Sequence, residues 1–126
     1  MMVSIVSCSI LGVGCEESAA QDIKELKRIV LELLQASVSS TMQEGDGCDS
    51  GDGGYLLFTA DRGINVDQFL RPFLIKGWRR IDLARDDVSD IVVGGATTPH
   101  DGRDVNVVIS LVDNSPTVDI FVTFGG

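Results

Sequence analysis

From Ser18 onward the apolar residues fall into a few separable patterns. Ile23, Leu26, Val30, Leu33 and Leu34 recur at helical spacing, with Lys24, Glu25, Lys27, Arg28 and Glu32 on the opposite side, which predicts an amphipathic helix with one packed stripe. Ser18-Ala19-Ala20-Gln21 has the form of a capping box, so the helix is expected to start there. Ser37, Ser39, Ser40 and Thr41 end it, because their side chains compete for backbone hydrogen bonds. Val66, Phe69, Leu70, Phe73 and Leu74 predict the buried face of a second helix, capped by Asn65 and stopped by Gly77 in a left-handed conformation. Pro72 conflicts with that pattern: it lacks the N–H that would bond to Gln68 and is expected to kink or shorten the helix there.

Between and after the helices the pattern changes to that of strands. Residues 55–59 are a continuous β-favouring run, expected as a strand covered on both faces or a central one. Residues 79–83 are strand-like, residues 86–93 fit either a helical turn or a short strand, and residues 44–54 and 94–103 read as loops. Residues 105–112 and 117–124 predict two strands joined by Asp113-Asn114-Ser115-Pro116. Val118, Ile120, Val122 and Phe124 alternate with Thr117, Asp119 and Thr123, so the sheet is expected to have one packed face and one largely wet face. The fold class expected is α+β: two helices on one face of a mostly antiparallel four- or five-stranded sheet that ends in a C-terminal hairpin.

Composition adds a location and a sign of charge. With 126 residues, 44% of them apolar, the chain suits one domain with its own core. Nineteen acidic residues against ten basic ones give a net charge of −9, a field that repels phosphate backbones and anionic lipid and attracts a basic protein surface. Nucleic-acid binding is therefore not expected. Residues 1–15 carry no charge, whereas Glu16 and Glu17 open a chain charged throughout. That segment is shorter than the roughly 20 apolar residues of a spanning helix, yet it suits the apolar core of an export signal.

Its end, Leu11-Gly12-Val13-Gly14-Cys15, resembles the cleavage box of small bacterial lipoproteins. The resemblance implies a leader over residues 1–15, a diacylated Cys15 as the anchoring residue, a cell-envelope location, and a single acidic domain over residues 16–126. The order of elements after residue 55 is similar, in a general way, to that of small exported bacterial proteins. The alternative is a buried first strand over residues 3–11 of a cytoplasmic protein. Cys8, Cys15 and Cys48 are an odd set, so no complete disulfide framework is expected in either case.

Candidate chemistry is sparse. Glu44, Asp46, Asp49 and Asp52 lie in a glycine-rich stretch and are the residues that would converge on calcium, a hard cation served by flexible carboxylates. Their spacing is not that of a calcium hand, since Leu57 stands where the bidentate Glu belongs. Cys48 lies between Asp46 and Asp49, whose charge suppresses its thiolate. His100 has Asp101 and Asp104 as possible orienting carboxylates and Ser89 or Ser110 as distant hydroxyls, but no nucleophile motif accompanies it. Trp78, Arg79 and Arg80 combine an aromatic ring with two cations that suit an anionic group, although an indole after a helix-stopping glycine also suits core packing.

The function expected is a non-catalytic, exported, lipid-anchored binding domain without a cofactor, touching the membrane only through its lipid. The alternative is a cytoplasmic acidic inhibitor or immunity-like protein that binds a basic partner.

Overall fold

The computed structural model of the chain describes residues 14–46, 53–81, 91–112 and 114–125. Helix α1 spans Gly14–Val30, passes into a 3-10 turn at Leu31–Leu33, and is followed by a one-turn helix α2, Ala36–Ser39. The capping box is thus not the helix start: Ser18 lies inside α1. Glu17 stands in the opening turn, where a carboxylate favours the positive end of the helix dipole. At the other end α1 stops at Val30, ahead of the hydroxyls expected to end it; after the 3-10 turn Leu34 is extended, and the hydroxyls act at α2 instead. Ser39, Ser40 and Thr41 donate to the carbonyls of Ala36, Ser37 and Val38 at 3.3, 3.1 and 2.7 Å.

Six strands follow among the described residues: β1 (Gln43–Gly45), β2 (Tyr55–Asp61), β3 (Arg79–Ile81), β4 (Ile91–His100), β5 (Arg103–Leu111) and β6 (Thr117–Gly125). Helix α3, Val66–Ile75, stands between β2 and β3. The strands form one sheet in the order β1-β2-β6-β5-β4-β3, with every neighbouring pair antiparallel. The fold is α+β as expected, but with six strands rather than four or five and with the extra turn α2.

Two differences account for the count. Part of the expected loop at residues 44–54 is strand, because β1 pairs with Tyr55, Leu56 and Leu57 of β2. The expected loop at residues 94–103 is mostly β4, with only Asp101 and Gly102 left as the turn, at φ 51° and 83°. Two consecutive positive φ angles are what a two-residue hairpin turn requires. Gly94 is a packing glycine, not a turn signal. A Cβ there would lie 2.8 Å from Val66 Cγ1 of α3, so its absence lets the helix approach a strand bulged between Val92 and Gly94.

Pro72 does not break α3, which runs through it. Phe69, Leu70 and Phe73 are buried in the core, and that burial holds the helix across the missing bond. Asn65 Oδ1 accepts from Gln68 N at 3.0 Å at the start. At the end, Trp78 N donates to Phe73 O at 3.1 Å and Gly77 N to Leu74 O at 3.0 Å, with Gly77 at φ 96°. This is the Schellman arrangement, and Trp78 adds its hydrophobic contact, edge-on to Phe73 with centroids 5.0 Å apart.

All three helices lie on one face of the sheet. Leu26, Val30 and Val38, together with Phe69, Leu70 and Phe73, pack on Leu56, Phe58, Ala96, Val105, Val107, Ile109, Val118, Ile120 and Val122. Strand β2 is therefore paired on both edges, as a central strand is, but among the described residues it is covered by helices on one face only.

Candidate interaction face

Strand alternation sends every second residue to the side away from the helices. There the register lines up Leu57, Phe121, Val108, Gly95 and Ile81 as one row across β2, β6, β5, β4 and β3. Leu57, Phe121, Val108 and Ile81 are half-buried and lie outside the core cluster. Among the described residues, no helix packs on this side. The row is thus an apolar stripe on the face expected to be wet.

Tyr55 extends the stripe. Its ring lies over Gly45 of β1 and tilts toward Phe121 with centroids 6.0 Å apart. At this end of the sheet Tyr55, Phe121, Thr123 and Phe124 line a cavity of about 430 Å³ with Gly53 and Gly54. Polar residues flank the stripe in register. Thr97 donates to Asn106 Oδ1 at 2.7 Å in the row on one side, and Thr59, Asp119 and Ser110 form the row on the other. Asp61, Asp104 and Asp119 point to this face by alternation, against Arg79 as its cation among the described residues.

A second cluster lies at the same end of the sheet, on the helix side. Asp22 and Glu25 are one turn apart on α1 and face the β4–β5 turn. Arg103 donates to Asp22 Oδ1 at 3.0 Å and lays its guanidinium 3.8 Å over the Phe124 ring. His100 Nε2 lies 3.3 Å from Glu25 Oε2 and 3.4 Å from Asp101 Oδ2, and Arg28 donates to Glu25 at 2.5 Å. The opposite flank of α1 pairs Lys27 with Glu44 of β1. These contacts grip the helix on two sides, and the buried Asp22 carboxylate is satisfied by them.

The residues singled out from sequence are placed as follows. His100 meets Asp101, as anticipated, and also Glu25, which no local signal marked because it is 75 residues away. Ser110 projects to the opposite face of the sheet from His100, and Ser89 lies outside the described residues. Of the four carboxylates considered for calcium, Glu44 is engaged with Lys27 and Asp46 follows β1, while Asp49, Asp52 and Cys48 lie outside the described residues. Among the described residues, no three His, Cys, Asp or Glu side chains are grouped to hold a metal ion. Trp78 is buried against Phe73, whereas Arg79 and Arg80 are exposed and Arg80 pairs with Asp67 at 2.6 Å, so the indole and the guanidiniums are not one surface. Cys15 falls in the first turn of α1. Its predecessors, including the alternative strand over residues 3–11 and Cys8, lie outside the described residues. Among the described residues, no helix is long and apolar enough to cross a membrane.

The apolar stripe went unremarked in the sequence, although Phe121 is its visible mark. It interrupts the otherwise polar alternation of Thr117, Asp119 and Thr123 on the solvent side of β6. The chain matches no family model, no curated protein and no solved structure.

Proposed function

We propose that this chain is a non-catalytic interaction domain held at a bacterial cell envelope by a lipid on Cys15. The observation that carries the reading is the uncharged segment that ends in Leu11-Gly12-Val13-Gly14-Cys15 immediately before a chain of net charge −9. The packing of α1 suits an anchor at that point: Ala19, one turn later, is already buried and lies against Gly54. Two acyl chains on one residue provide stable attachment, so the domain needs no membrane-binding surface of its own. Asp22, Glu25 and Arg103 near His100 are engaged in holding α1 to the β4–β5 turn, which supports a structural use of that histidine. The apolar stripe, on a sheet face that no helix covers among the described residues, supports binding as the task.

The experiment is the intact mass of the protein purified from bacterial membranes. The expected result is a chain that begins at Cys15 and carries acyl groups, and a Cys15→Ser variant that is neither processed nor membrane-attached. A full-length, unacylated chain in the soluble fraction overturns the envelope reading and leaves the acidic cytoplasmic inhibitor, whose −9 charge would steer it to a basic partner.

A further inference from the structure

We propose that the face of the sheet opposite the described helices docks a basic protein through an apolar anchor set between cationic side chains. This rests on the reading of the chain as an interaction domain, and it names the surface and the chemistry of the partner. The surface has a built order. Leu57, Phe121 and Val108 stand in adjacent register on three neighbouring inner strands, with Tyr55 beside them and the cavity of about 430 Å³ at the Tyr55 end. Tyr55 and Phe121 line that concavity, and aromatic side chains around a concavity are a usual seat of an anchoring residue from a partner.

Charge decides among the occupants. Asp61 and Asp119 lie at one end of the face and Asp104 at the other, with the stripe between them. Along β6 the separation from Asp119 to Gly125, which pairs with Asp104, is about 20 Å at the rise of an antiparallel strand. A partner that carries Lys or Arg groups about that far apart, with apolar side chains between them that meet the stripe, satisfies the stripe and the carboxylates together. A second copy of this chain brings the same carboxylates and another −9 of charge, so self-pairing is opposed. An anionic lipid surface is repelled for the same reason.

The test uses the full chain in detergent micelles and a defined probe: a disulfide-closed β-hairpin peptide with Val, Phe and Val on one face between terminal lysines. Amide chemical shifts are followed on titration. Expected are shifts concentrated at Tyr55, Leu57, Val108 and Phe121, roughly tenfold weaker binding for Phe121→Thr, as loss of an anchor contact predicts, and further weakening for Asp119→Asn or at high salt. Thermal unfolding of each variant separates loss of binding from loss of fold. A Val108→Thr variant, which keeps a β-branched residue in the strand, serves where Phe121→Thr does not fold. The proposal is overturned by shifts spread over the helix-side carboxylates Glu32 and Asp67, by equal binding of a peptide with Glu in place of Lys, or by a dimer that protects this face without peptide. The membrane mass measurement is independent: a soluble, unprocessed chain that still binds the hairpin at this face sinks the anchor and keeps the docking surface.

Discussion

The hydroxyl of Thr41 serves as a rung of the sheet, and its removal is a direct test of the β1–β2 edge. Strand β1 pairs with β2 only from Tyr55 to Leu57, and among the described residues no strand adjoins the outer edge of β2 beyond it. At Thr59 the place is taken by a side chain. Thr41 Oγ1 accepts from Thr59 N at 2.8 Å, and its proton faces Val38 O at 2.7 Å and Thr59 O at 3.2 Å. Thr41→Val keeps the shape and removes every one of these contacts. A buried donor left without a partner costs about 1–3 kcal/mol, and partial solvent access at this half-buried site places the expected loss near the lower end, about 1–2 kcal/mol.

For a domain of this size about 1 kcal/mol corresponds to roughly 3–6 °C in Tm. Thr41→Val is therefore expected to melt some 3–12 °C lower, by the same scaling. Thr41→Ser keeps the hydroxyl, loses one methyl group, and is expected to cost under about 1 kcal/mol. Trp78, the single tryptophan, is buried at 7% exposure and reports unfolding by fluorescence in urea. Exchange of the Thr59 amide proton is expected to accelerate in the Val variant alone. Equal stability of Thr41→Val and the parent, or a Ser variant as damaged as the Val one, refutes the assignment of the hydroxyl as a rung.

Two further perturbations test the ends of the helices. Gly77→Ala is expected to cost about 1 kcal/mol through backbone conformation alone, since φ is 96° and a Cβ there meets nothing within 4 Å; Gly77→Asn, which tolerates that region better, is expected to cost less in the same urea titration. A double-mutant cycle of Asp22→Ala with Arg103→Ala is expected to give a coupling on the order of 1 kcal/mol. The Asp22 side chain is 11% exposed but that of Arg103 is 46% exposed, so water screens the pair well short of a buried one; zero coupling would mean that stacking on Phe124, not the ion pair, holds Arg103.

Legibility of the fold followed the reach of each signal along the chain. The stop of α3 was readable because Gly77, Phe73 and Trp78 are local neighbours that satisfy one another's backbone groups. The closing pair of strands was readable because β5 and β6 alternate over their full lengths. Strand β4 was hidden because Gly94, Gly95 and Pro99 carry the local marks of a loop. The reason for Gly94 lies in Val66, 28 positions earlier in the numbering and adjacent only after folding. Strand β1 was hidden for a related reason: Gln43, Glu44 and Gly45 have no strand character of their own and gain it by pairing with β2. The candidate site shows the same division. The alternation that marks the wet face was legible, but the alignment of Leu57, Phe121 and Val108 is a property of register, which no single strand contains.

Anchoring and docking constrain one another through the geometry of α1. With a lipid at Cys15, the four residues to Ala19 span about 6 Å of helix, and Ala19 already lies against Gly54 at the start of β2. The register places Tyr55, Arg103 and the end of β6 at that same end of the sheet. The Tyr55 cavity and Asp104 would then lie nearest the bilayer, with Asp119 about 20 Å farther along the strand direction. The face that carries the stripe runs along that direction, not across the end of the sheet, so a lipid at Cys15 would not occlude it. A partner that fills the whole stripe must reach within a strand's length, about 30 Å, of the lipid surface. On the proposed anchoring, the basic partner is accordingly an envelope component itself or one that passes close to the bilayer. A cytoplasmic chain with the same face would carry no such restriction, which makes the mass at Cys15 informative about the partner as well as the location.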